Sequence, residues 1–166
     1  MSEKDKITEE KIKHAGIFDF KETYNFVYNW LTHNDYFIEE KAYVEKIKPD
    51  GKEIEIEWNA YRKISDYFRF ILKFRWFIIG LNDVEVVRDG VKIKSNKGVF
   101  EVKIDAILEK DYENRWEATS FAKFMRGMYD KYIIKSRAEK YEDKISGELA
   151  ELVAQIKAFL ALESRK

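Results

Sequence analysis

The sequence predicts an α+β fold: an antiparallel β-meander of five to six strands, one face covered by an N-terminal helix and by long C-terminal helices. Three changes of period predict it. Apolar residues recur every three or four positions from Asp19 to about His33, every second position from Ala42 to about Lys110, and every three or four again after Trp116. No strand–helix–strand repeat occurs, so a parallel nucleotide-binding sheet is not expected.

Taken in order, Met1 to Ala15 alternates acids and bases around Ile7 and Ile12 and reads as a charged N-terminal tail, leaving residues 16–166 as a single domain. Asp19 suits an N-cap, and Phe20, Tyr24, Val27 and Leu31 form the stripe of the first helix, with Asn34 and Asp35 as its stop. Next, Ile54, Ile56, Trp58 and Ala60 alternate with Glu53, Glu55, Glu57 and Asn59, the mark of a strand with one wet face. Phe68, Phe70, Leu72, Phe74, Trp76 and Ile78 repeat the pattern, with Arg69, Lys73 and Arg75 opposite.

Turn chemistry then sets registers. Asp89-Gly90 places Val86 across from Ile93 and Glu85 across from Lys94. A second turn at Asn96-Lys97-Gly98 would pair Ile93 with Phe100 and Val91 with Val102. A loop at Ser65-Asp66-Tyr67, lacking the usual Gly, sets Trp58 against Phe74 and Ile56 against Trp76. Pro49-Asp50-Gly51 is a turn whose register stays open.

After Trp116, Phe121, Phe124, Met125, Met128 and Tyr132 form one helical stripe. Ile134, Ala138, Tyr141, Ile145, Leu149, Leu152, Ile156 and Phe159 form another, about 220° further round the axis. A straight helix carrying both would be about 70 Å long, against a radius of gyration near 15 Å, so a bend or departure point is expected at Tyr132-Ile133-Ile134.

Composition limits function. The 166 residues include 12 Phe, 10 Tyr and 4 Trp, enough for a packed core without a staple. Thirty-one bases balance 31 acids, so any attraction to nucleic acid or anionic lipid must come from a local patch. There is no Cys for a disulfide, thiolate or zinc ribbon. The longest uncharged apolar run, Trp76 to Leu81, is too short to span a bilayer, and the charged start has no secretory core. A cytoplasmic protein is expected.

No catalytic or cofactor motif stands out. His14 and His33 have no companion at ligand spacing, and the glycines are scattered with no GxGxxG or Walker pattern. Glu53, Glu55 and Glu57 share a face with Arg69, Lys73, Arg75 and Lys103, which reads as cross-strand ion pairing. No cofactor, metal or catalytic residue is therefore assigned.

Three binding surfaces remain. Ile145, Leu149, Leu152, Ile156 and Phe159 step by four and three along a short heptad seam, a surface for a protein partner or a second copy. Trp58, Phe74, Trp76, Phe121 and Met125 could line an apolar-ligand cavity between sheet and helix. The order of meander then long helix resembles helix-grip ligand-binding domains, in architecture alone and without a shared motif. Tyr61, Arg69, Lys73 and Arg75 could contact single-stranded nucleic acid on the outer face, although strand alternation sends most rings to the opposite side. The leading expectation is a non-enzymatic binding or assembly module using its C-terminal helix as partner surface.

Overall fold

A computed structural model describes residues 2–113, 120–129, 131 and 135–164. The chain runs β1 (Glu3–Phe18), α1 (Phe20–His33), β2 (Phe37–Lys48), β3 (Gly51–Lys63), β4 (Phe68–Arg88), β5 (Val91–Lys110), α2 (Ser120–Tyr129) and α3 (Lys135–Ser164). The strands form one antiparallel sheet in the order β1-β5-β4-β3-β2. This is the expected α+β class, with four strands in a meander and the first strand of the chain added beside the last.

Alternation along β3, β4 and β5 places the core. Ile54, Ile56 and Trp58, then Phe68, Phe70, Leu72, Phe74, Trp76 and Ile78, then Phe100, Val102, Ile104 and Leu108 are all buried. They lie on the face roofed by α1 and α3, whose Val27, Leu31, Ile145, Leu149, Leu152 and Ile156 complete the cluster. Arg75 on the opposite face stays exposed. At about 25 cal/mol per Å² of apolar area removed from water, this two-layer contact is the main stabilising term of the fold.

Local chemistry sets the element ends. The Asp19 carboxylate accepts from the Glu22 backbone N–H at 2.9 Å and caps α1. Asn34 closes the helix, and Asp35 then takes a left-handed conformation at φ 65°. In the loop before β4, the Ser65 hydroxyl accepts from the N–H of Phe68 at 3.0 Å and of Tyr67 at 3.2 Å, doing without the Gly that such loops favour. The expected pairs of Trp58 with Phe74, Ile56 with Trp76, Val86 with Ile93 and Glu85 with Lys94 are all observed. The open register resolves with Lys48 opposite Gly51, which leaves Glu45 facing Ile54.

Two expectations are corrected. Asn96-Lys97-Gly98 does not turn: β5 continues through it, and Phe100 pairs with Ile78 on one side and His14 on the other, not with Ile93. Gly98 serves close approach instead. A Cβ there would stand 3.0 Å from the Ile79 carbonyl oxygen and 3.1 Å from that of Gly80, where β4 bulges.

The second correction is the charged tail, which is edge strand β1. Ile12 and Phe18 enter the core, while Lys11 bonds Glu101 at 2.8 Å and Lys103 bonds Glu9 at 3.1 Å. An edge strand with one ladder exposed can carry many charges, and these discourage pairing with another chain. Of the two C-terminal stripes, Phe121 to Met128 fall on α2 and Ala138 to Phe159 on α3, and Tyr132 and Ile134 lie outside the described residues. The bend expected at residues 132–134 lies outside the described residues.

Removing residues 2–15 should therefore strip the β5 edge and abolish the cooperative native unfolding transition. Ile12→Ala alone should cost about 2–5 kcal/mol in denaturant unfolding. An unchanged midpoint would restore the tail reading. Bonds from Lys6 and then Lys103 lower the Glu9 carboxyl from 4.5 to about 2. Its pairing therefore favours the folded state above the ordinary carboxylate range and is lost as pH falls from about 4.5 toward 2. An NMR titration should show the low midpoint, rising in Lys103→Ala.

Candidate functional site

At one end of the sheet, an open cleft of about 860 Å³ is bounded by Asp35, Phe37, Glu39, Tyr61, Arg62, Lys63, Ile64, Arg69 and Lys144. Five separate parts of the fold converge on it: the turn after α1, the start of β2, the end of β3 with its loop, the start of β4, and α3. Phe37 and Tyr61 are cross-strand partners in the β2–β3 register, and Phe37 is 71% exposed. Two neighbouring rings are thus presented on the outer face, one of them bare.

The arginines of the cleft are already engaged. Arg62 donates to Glu148 on α3 at 2.7 Å, and the Tyr36 hydroxyl donates to the other oxygen of that carboxylate at 2.8 Å. Burial, reinforced by Glu148, raises the Tyr36 phenol above its ordinary range, so it remains a donor. This triad anchors α3 over the β2–β3 end. Arg69 donates to Glu109 at 2.7 Å, and its guanidinium stacks 4.8 Å from the Tyr61 ring centre and 5.3 Å from that of Tyr112. The Tyr112 hydroxyl is tied to the Ser65 carbonyl at 2.7 Å, closing this corner.

The remaining cations differ. Lys63 faces the Tyr112 ring at 5.9 Å, and neither Lys63 nor Lys144 has a carboxylate partner among the described residues. On the acidic side, Lys41 bonds Glu39 at 2.7 Å and holds its carboxyl below the ordinary range. The cleft therefore offers two ammoniums, two exposed or half-exposed rings, and a rigid floor made by paired arginines.

The nucleic-acid residues read from the sequence are only partly brought together. Tyr61 and Arg69 meet at the cleft, whereas Lys73 and Arg75 lie further along the outer face, with Arg75 3.4 Å from Asp105. That face is also less uniformly wet than alternation implies. Ile71, between Tyr61 and Ile107 in the ladder, is 1% exposed.

The apolar-ligand set is split. Trp58 lies 5.8 Å from Phe74 and 5.0 Å from Trp76, with Tyr24 over Trp58 at 4.9 Å, so these rings pack against one another. The Trp58 indole and the Tyr24 hydroxyl both donate to Glu40, at 2.9 and 2.6 Å. Phe121 and Met125 stand apart on α2, 71% and 38% exposed.

The seam expected to meet a partner is occupied by the chain itself. Ile145, Leu149, Leu152 and Ile156 are each 0% exposed in the core, and Phe159 stacks on Phe26 at 4.8 Å. A free partner surface there is corrected to an intramolecular one, because the apolar face of the sheet needs this roof. Phe37 and Lys144 were missed by sequence reasoning. Their only signal was an apolar ring on the polar phase of β2 and a base facing away from the α3 seam.

No protein-family model matches the sequence, and no curated protein or solved structure matches it significantly. The site is therefore read from its own chemistry. Arg69→Ala should leave Glu109, 2% exposed, as a buried carboxylate without its cation and cost about 3 kcal/mol in chemical unfolding. A loss below about 0.5 kcal/mol would show the pair to be dispensable.

Proposed function

We propose that the protein is a non-enzymatic binding module that takes a nucleotide unit in this cleft, a planar base against Phe37 and Tyr61 and its phosphate at Lys63 and Lys144. One observation carries the reading: the exposed Phe37 ring and the half-buried Tyr61 ring sit beside two ammoniums with no carboxylate partner among the described residues. Stacking tolerates any base because every base has a π-face, while phosphate contact supplies salt-dependent affinity. The paired Arg62 and Arg69 shape the cleft and contribute little free charge.

The same chemistry occurs in a free nucleotide and in one position of a single strand. Fluorescence anisotropy with a labelled single-stranded oligonucleotide, and competition by a mononucleotide, separates the two sources. Binding should weaken with salt, and Phe37→Ala should weaken it roughly fivefold to a hundredfold, the range of one lost stack. Lys144→Ala should reduce the salt slope by about one counterion. If neither ligand binds in a salt-dependent way, or Phe37→Ala binds as the parent does, the reading fails. Arg69→Ala is unsuited to this test because its effect on folding would be read as a loss of binding.

A further inference from the structure

The helix stripes of this chain are not treated alike. Val27 and Leu31 of α1 and Ile145, Leu149, Leu152 and Ile156 of α3 are each 0% exposed, whereas on α2 Phe121 is 71%, Phe124 62%, Met128 44% and Met125 38% exposed. At 100° per residue, these four side chains lie within about 100° of arc, and Lys123 and Gly127 lie on the far side. Two Phe and two Met on one face of a ten-residue helix form a contiguous apolar patch that the chain's own core does not take up.

Charge identifies what complements that patch. Ser120–Tyr129 contains no acid. From residue 120 to 137 the sequence holds Lys123, Arg126, Lys131, Lys135 and Arg137 against a single acid, Asp130. In a chain whose 31 bases and 31 acids cancel, this is a strong local excess of positive charge. Within α2 its one described base, Lys123, stands on the face opposite the rings. An apolar arc backed by a basic opposite face is the pattern of a helix lying in the plane of a bilayer interface, its rings among the acyl chains and its bases at anionic headgroups.

We propose that α2 docks the protein onto an anionic lipid bilayer, with Phe121, Phe124, Met125 and Met128 inserted and Lys123 and its neighbouring bases at the headgroups. The helix is about 15 Å long, so it lies on the surface, and no described helix is long and apolar enough to cross a membrane. Four inserted side chains make a weak, reversible anchor that needs the charge as a second signal. The proposal uses α2 and the bases that follow it in the chain, and is independent of the ligand cleft.

The test is co-sedimentation of the full chain with vesicles of phosphatidylcholine alone and of phosphatidylcholine mixed with phosphatidylserine. Sedimentation is expected with the mixed vesicles, falling as salt is raised. Phe121→Ser/Phe124→Ser should weaken it roughly tenfold or more, with an unchanged thermal midpoint because both rings are exposed. Should that variant lose its fold, Lys123→Glu/Arg126→Glu decides, and undiminished sedimentation of the charge-reversed protein overturns the proposal. Absence of sedimentation with mixed vesicles, or equal sedimentation with both kinds, also overturns it. So does a dimer in light scattering that the Phe variant dissolves when vesicles are not bound.

Discussion

Pairing of β4 on both sides, with six large side chains from Phe68 to Ile78 turned the same way, is the constraint on which the molecule depends. A strand with a neighbour on each edge cannot slip by one residue without turning every ring toward water. Its inward face, continued by Trp58 and Ile56 on β3 and by Phe100 and Val102 on β5, is too greasy to leave open. Two helices must cover it. The Tyr36–Glu148–Arg62 bonds and the stack of Phe26 on Phe159 fix how α3 meets the rest.

That requirement redistributes the chain's surfaces. Because the α3 seam is used as roof, a partner cannot reach it without opening the core. Exposed apolar groups lie elsewhere, among them Phe37 at the start of an edge strand and the stripe of α2. The candidate cleft and the proposed lipid-facing helix both follow from what the core leaves over.

The outer face shows how net neutrality is organised. Lys6, Glu9, Lys103, Asp105 and Arg75 form a chain of ion pairs across β1, β5 and β4, most of it solvent-exposed and individually weak. The Arg69–Glu109 pair is different, since Glu109 is almost fully buried and Tyr61 and Tyr112 flank the guanidinium. Basic residues in a strand therefore do not amount to a basic surface. Carboxylates one strand away engage Lys6, Lys11, Lys103 and Arg75, whereas Lys63 and Lys144 at the cleft have no carboxylate partner among the described residues.

The sequence by itself determined the class, the faces of β3 and β4, the α1 cap at Asp19 and the two hairpin registers at 65–67 and 89–90, because each depends on periodicity or turn chemistry within a few neighbouring residues. Tertiary structure alone decided that residues 3–18 are an edge strand, that Gly98 lies flat against the β4 bulge, and that the α3 seam faces inward. Those outcomes rest on contacts between segments as much as a hundred residues apart, such as the Lys6–Ile107 pair in the β1–β5 ladder. The cleft shares that origin. Phe37, Tyr61, Arg69 and Lys144 become neighbours only when strand pairing and helix packing bring their elements together, and no local pattern in the chain records that meeting.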